Sequence, residues 1–304
     1  MILRDKCMIK VPASTANLGP GFDSIGLALD LFLILEAEKS DQWSFTTSCP
    51  ELKQFPGDHR HFICQVANHV ASKYGVSLTP CKVVMESQIP LARGLGSSAA
   101  AIVAGIELAD FAGGLQLTKD EKLQIATAME GHPDNVGASI FGGLVIGSYQ
   151  NGETDLLSFQ LNSFEVVALI PEDILLTKDA RQVLPSSLPY SEAVKASSAA
   201  NLLVAALLGK HWSLAGKMME QDLFHQPYRK PLIPFYKEAC NTAKSGGAFG
   251  AALSGAGPTI LCFAEKGLGL GLSEHLKREL PQMKVKLLNI EQNGSSVSKM
   301  EKCS

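Results

Sequence analysis

The chain has 304 residues, 46% of them hydrophobic and 19% charged, with a formal net charge of -3. That length and apolar content suit one large or two medium packed domains, and a near-balanced charge without any Lys/Arg run excludes an electrostatic footprint for nucleic acid. No stretch reaches the roughly 18 apolar residues of a membrane span, and MILRDKCMIKVPAS lacks an apolar core followed by a cleavage site, so a cytoplasmic protein with no membrane partner is expected.

Residues 7–13 and 25–38 read as strands, the second long and largely buried. Between them STANLGPGFDS (14–24) is turn-rich. HFICQVANHVASKYGV (61–76) places Phe62, Val66, Val70 and Tyr74 at helical spacing, and CKVVMESQIP (81–90) alternates as a strand that stops at Pro90. A glycine loop precedes a helix over about 97–112, and a second helix over 118–130 opens on the capping-box pattern Thr118-Lys119-Asp120-Glu121. HPDNVGAS then leads to a strand near 143–149. Beyond NGETDLLS (151–158), residues 165–171 read as a strand and about 190–208, 212–224 and 232–244 as helices. Residues 247–265 read strand, glycine loop, strand; 272–280 and 283–291 close with a helix and a strand, and the polar tail from about 293 is expected to be mobile. This mixed order without steady βα alternation argues for an α+β fold in two domains, 1–155 and 156–304. Seven cysteines (7, 49, 64, 81, 240, 262, 303) show no CxxC spacing and read as buried free thiols.

IPLARGLGSSAAA (89–101) carries the chemistry of a phosphate cradle. A helix N-terminus exposes unpaired N–H groups and a partial positive charge. Glycine lets backbone approach a phosphate, and a serine hydroxyl can touch phosphate or magnesium. The competing reading is a plain turn in which Ser97 or Ser98 is an N-cap. A Walker A loop and the Rossmann fingerprint are both absent from the residues as they stand. Two further glycine loops, 14–24 and 254–258, are each flanked by an apolar strand, as expected where backbone surrounds a ligand.

IPLARGLGSSAA (89–100) resembles the second motif of the GHMP kinases, VPASTANLGPGFDSIGLAL (11–29) their first and GAALSGAGPTIL (250–261) their third, in the same order. STANLGPGFD, EGHPDNV and TKDAR have the form found in the homoserine-kinase branch. The resemblance implies a first domain like domain 2 of ribosomal protein S5, a ferredoxin-like second domain, and an active site in the cleft between them. It implies ATP and Mg2+ as cofactors, L-homoserine as the substrate phosphorylated on its side-chain hydroxyl in threonine biosynthesis, and a homodimer. A kinase for another small alcohol such as mevalonate, and a non-catalytic sensor on the same scaffold, are the other readings.

Carried over residue by residue, the resemblance assigns Pro90, Leu91, Ala92, Arg93, Gly94, Leu95, Gly96, Ser97, Ser98, Ala99 and Ala100 to the nucleotide, with Thr177, Gly255 and Gly257. Ser98 and Glu130 become magnesium ligands; a helix-end carboxylate opposes the dipole, which hints at a purpose. Asn17 and Asp23 meet the substrate ammonium, Arg181 and Arg229 its carboxylate, and His132 and Asn135 its hydroxyl. In HPDN, Asp134 or Asn135 can equally be the cap of a short helix. In mevalonate kinases and galactokinases the position of Asn135 is an aspartate proposed as base; an amide cannot take that proton, so catalysis by positioning without a side-chain general base is expected, with His132, Asn135 and Arg181 as its agents.

Overall fold

One strand organises the first half of the molecule. The structure, a computed structural model describing residues 6–300, runs β2 (Gly21–Lys39) through the middle of a seven-stranded sheet. Its far half alternates: Leu31, Leu33, Leu35 and Ala37 are buried while their neighbours reach the other face, the period of a strand with one covered face. β1 (Lys6–Asn17) pairs antiparallel along β2, with irregularities at Pro12/Ala13 and Ala16/Asn17 that turn the chain into the first glycine loop. On its other edge β2 pairs with β5 (Leu144–Gln150) at Ile25–Leu27 and with β4 (Cys81–Ser87) at Leu33–Lys39. β3 (Ser44–Thr47) is parallel to β4, and β6 (Glu153–Phe159) forms a hairpin with β5.

Helices α1 (Phe62–Lys73), α2 (Ser97–Gly113), α3 (Lys119–Glu130) and α4 (Asp134–Phe141) cover this sheet. α2 is apolar around most of its circumference, as a helix enclosed on all sides must be. The expected capping box opens α3: Glu121 N donates to Thr118 Oγ1 at 3.2 Å, and Thr118 N to Glu121 Oε2 at 2.8 Å.

The second sheet contains β7 (Phe164–Ile170), β8 (Gly250–Leu253), β9 (Ile260–Glu265) and β10 (Lys284–Leu288) in the order β10-β7-β9-β8, all antiparallel. Strand order 4-1-3-2 with helices between the first and last pairs is the ferredoxin-like arrangement. Val167 and Leu169 pack under α9 (Tyr236–Ser245) and α10 (Gly269–Glu279). Their neighbours Val166 and Ala168 face α6 (Tyr190–Leu208) and α7 (Trp212–Glu220), in a core continuous with that of the first sheet.

The chain departs from expectation at its breakers and its ends. α7 stops at Glu220 rather than 224 because the Asp222 carboxylate collects the amides of Phe224, His225 and Gln226 into a turn. Pro231 and Pro234 delay α9 to Tyr236; before it lie α8 (Gln226–Arg229) and a 3-10 turn. The tail expected to be mobile is a strand over 296–299: β11 (Ser296–Lys299) pairs with β1, whose free edge supplies the partner groups. The expected division after residue 155 falls inside β6, which bonds to β5 along its length. Cys7, Cys64, Cys81 and Cys262 are buried and Cys49 and Cys240 half-buried, all free, while Cys303 lies outside the described residues. Among the described residues no helix is long and apolar enough to cross a membrane.

Candidate active site

The three glycine loops meet. Gly96, at φ +72°, is the N-cap of α2, and no side chain caps the helix; Ser97 and Ser98 are its first two residues, so neither has the capping role. The first-turn amides therefore stay without an intrahelical acceptor. A β-carbon on Gly96 would strike Ser14, and one on Gly94 (φ +74°) the Ser254 carbonyl. These glycines thus also let the first and third loops press onto the second, beyond the approach of backbone to a ligand. Hydrogen bonds seal the junction: Ser254 Oγ donates to Gly94 O (2.6 Å) and Gly255 N to Ala16 O (3.2 Å).

A cavity at this junction is lined by Asn17, Asp23, Ala92, Gly94, Gly96, Ser97, Ser98, Ala99, Glu130, His132, Asn135, Thr177, Arg181, Arg229 and Gly255, residues expected at the site and drawn from both halves of the chain. Phe22, Asp134, Leu175 and Ala256 join them. At one end Arg181, on the six-residue helix α5 (Thr177–Gln182), makes a forked pair with Asp23 (Nη1–Oδ2 3.1 Å, Nη2–Oδ1 2.8 Å). Asn17 Oδ1 accepts from Asp23 N (3.0 Å) and its Nδ2 donates to Gly255 O (3.2 Å). Arg229 is 2% exposed, its Nε on Ala180 O (3.0 Å) and Nη1 on Gly255 O (2.8 Å). Burial lowers its pKa to about 10. Phe22 lies beneath both guanidinium groups, 5.6 Å from Arg181 Cζ and 5.4 Å from Arg229 Cζ.

Neither Asp134 nor Asn135 caps α4, since Pro133 occupies that position without a side-chain bond. Asp134, 1% exposed, instead takes His132 Nδ1 (2.5 Å) and Asn135 N (2.7 Å) on one oxygen. Burial works against a charged His132, but the bond to Asp134 and its charge outweigh it and raise the imidazole pKa. Ser14 Oγ lies 3.0 Å from Asn135 Oδ1 and orients the amide.

Glu130, the last residue of α3, reaches the same cavity as Ser98. Burial raises its pKa, with opposing help from His132 and Arg181, and among the described residues its carboxylate has no hydrogen-bond partner. A half-buried carboxylate without a partner, lining the same cavity as a hydroxyl, fits a hard divalent cation. The other grouping of ligand type, Asp23–His132–Asp134, is already occupied by internal pairing.

Several residues expected at the nucleotide lie outside this polar cavity. Leu95 and Ala100 are buried in the core, and Gly257 N bonds Ser254 O with its free side packed on Leu253 and Ile233. Arg93 ties the loop to residues 171–172, donating to Leu91 O (3.0 Å), Pro171 O (3.0 Å) and Glu172 O (2.7 Å). Pro90 borders a crevice with Lys284 and Lys286. Leu91 instead lines an apolar cavity of about 370 Å³ that adjoins the polar one through Ala92, Ser97, Ser98 and Thr177. Its walls include Leu33, Phe62, Met85, Ile89 and Leu176. Sequence reasoning missed this cavity, because each wall residue alone reads as ordinary core.

Residues 61–143 match the family model of the GHMP kinases N terminal domain, and 203–281 that of the GHMP kinases C terminal domain. The chain is 50% identical over 291 residues to the homoserine kinase of Bacillus velezensis, covering 96% of this chain and 94% of that one. It is also 50% identical over 291 residues to that of Shouchella clausii, covering 95% and 97%. Among solved structures, homoserine kinase from Cytophaga hutchinsonii superposes with TM-score 0.87 at 26% identity, covering 98% of this chain and 99% of that one. Mevalonate kinase from L. major shares the fold, with TM-score 0.67 at 17% identity over 95% of this chain and 96% of that one.

Proposed function

The chain belongs to the homoserine kinases of the GHMP kinase family, and from that membership together with the cavity we propose that it transfers the γ-phosphoryl group of ATP to the side-chain hydroxyl of L-homoserine. The observation that carries the reading is the arrangement of charge: a forked Asp23–Arg181 pair beside Arg229 at one end, and a glycine-capped helix N-terminus at the other. A zwitterion exchanges into such a pair, its ammonium taking Asp23 and its carboxylate Arg181 and the free Nη2 of Arg229. Mevalonate has no ammonium and would leave Asp23 without a cation.

In this reading the first-turn amides of α2 receive the triphosphate and the apolar cavity holds the adenine, its size falling in the range of small-molecule pockets. Ser98 and Glu130 would hold Mg2+, which supplies charge neutralisation on the phosphate oxygens. The homoserine oxygen bonds to the γ-phosphorus as the bond to the bridging oxygen of ADP breaks, and the hydroxyl proton departs late, to a phosphate oxygen. The residue that faces the hydroxyl supports the absence of a side-chain base, because Asn135 is an amide and an amide does not take the proton. Cytoplasmic residence and a homodimer are parts of the same proposal; light scattering on the purified protein tests the latter.

A coupled ADP-release assay over homoserine, serine, threonine, mevalonate and shikimate tests the function. Turnover confined to homoserine is expected, and turnover of mevalonate with none on homoserine overturns the reading.

A further inference from the structure

His225, just ahead of α8, is fully buried and outside the cavity, yet it touches two of the elements that shape its amino-acid end. Its Nε2 lies 2.9 Å from Gly19 O in the first loop, and its Nδ1 3.2 Å from Arg229 Nη1. A carbonyl oxygen only accepts and a guanidinium only donates, so a single tautomer serves both contacts, with the hydrogen on Nε2 and the lone pair on Nδ1. Asp222 Oδ2, 3.3 Å from Nε2, favours that same tautomer. Burial first, and then the Arg229 charge, keep the ring neutral with a pKa lowered to about 3.

Arg229 has Nε on Ala180 O and Nη1 shared between Gly255 O and His225 Nδ1, which leaves Nη2 for the cavity. The plane of the guanidinium, and so the aim of Nη2, depends on those anchors. His225 reaches the first loop at Gly19, as Gly255 does at Ala16 and Asn17. Its ring also stacks on Phe22 (5.5 Å, 24°), the aromatic shelf under both arginines. A phenylalanine, although larger, would keep the stacking with no polar ring atom of its own to satisfy; the imidazole has a use that filling space does not require.

We propose that His225 is a positioning residue: it sets the plane of Arg229 so that Nη2 meets the carboxylate of the amino-acid substrate, and it registers that plane against Gly19. The inference rests on the assignment of the substrate carboxylate to Arg229.

Steady-state kinetics of the full chain with homoserine and ATP tests it, using His225→Phe, His225→Asn, Arg229→Gln and the double variant His225→Phe/Arg229→Gln, with a thermal melt of each. His225→Phe is expected to raise the homoserine KM about tenfold while the ATP KM and kcat stay within about twofold, the size of one charged hydrogen bond. His225→Asn restores an acceptor to Arg229 and is expected to recover most of that rise. In the Arg229→Gln background the His225→Phe penalty vanishes. An unchanged homoserine KM, penalties that multiply in the double variant, or losses in both KM values and kcat that track the melting temperature each overturn the proposal. If His225→Phe is insoluble, His225→Leu takes its place in the same cycle. Failure of the unaltered chain to phosphorylate homoserine removes the functional reading itself, and an Arg229→Gln variant with unchanged homoserine KM removes the carboxylate assignment; a penalty in Arg229→Gln with none in either His225 variant removes the positioning role alone.

Discussion

Replacing Gly96 by alanine tests the geometry on which the cradle depends. The backbone there is left-handed (φ +72°), which costs an L-residue about 1–2 kcal/mol. The new β-carbon would also meet Ser14, forcing that residue away and loosening its bond to Asn135, roughly another 1 kcal/mol. Gly152, in the β5–β6 turn at φ +83°, supplies the comparison, because a β-carbon added there meets nothing within 4 Å. Gly152→Ala should therefore carry only the backbone term. With each kcal/mol worth about 1.6 °C in a chain of 304 residues, roughly 2–3 °C is expected for Gly152→Ala and roughly 3–5 °C for Gly96→Ala. The decisive contrast lies in the kinetics. Gly96→Ala should raise the ATP KM about tenfold and lower kcat through Asn135, whereas Gly152→Ala leaves both within about twofold. Thermal melts and the ADP-release assay, run side by side, read both quantities. If Gly96→Ala melts and turns over like Gly152→Ala, the loop does not approach its ligand as argued.

Glu130→Gln should cut kcat about 100-fold and abolish a Mg2+-dependent rise in melting temperature. Because burial raises the Glu130 pKa, its contribution to stability is full below the ordinary glutamate pKa and is lost as pH rises through the folded value; Glu130→Gln without metal should therefore melt higher than the parent near pH 8 and equal to it near pH 4. Asp23→Asn should raise the homoserine KM at least about tenfold with the ATP KM unchanged; its exposed ion pair predicts a stability change below about 1 kcal/mol by denaturant titration. Asn135→Ala should retain measurable turnover, and the parent kcat should be nearly flat from roughly pH 7 to 9; a steep rise of kcat with pH in the parent, together with collapse in Asn135→Ala, would falsify the absence of a general base.

The parts of the site that could be read from residues alone are the local ones. Glycines at 94 and 96 ahead of an alanine-rich run announce a helix with an open N-terminus, and Thr118 with Glu121 announces α3. Asp23, Asn17 and the arginines could be gathered by their motifs, and the structure does bring them to one cavity. Their pairings could not be foreseen, because Asp23 and Arg181 are 158 residues apart and meet only through the packing of both sheets. Arg93 illustrates the opposite failure. Its place in the loop suggests a phosphate ligand, but three carbonyl oxygens already take its donors. α5 and β11 are too short, and too polar in pattern, for periodicity to register.

The segment from Pro171 to Arg181 is held at one end by Arg93 and by the bond from Leu175 N to Ala92 O (3.1 Å), and at the other by Asp23. Along it Leu175 faces the polar cavity, Leu176 the apolar one and Thr177 both. If the glycine loop holds the nucleotide and Asp23 the amino acid, as proposed, a single strap leans on both, and its set then couples the two ligands. Any factor by which bound nucleotide tightens the grip on homoserine must then reappear, equal in size, as the factor by which homoserine tightens the grip on nucleotide.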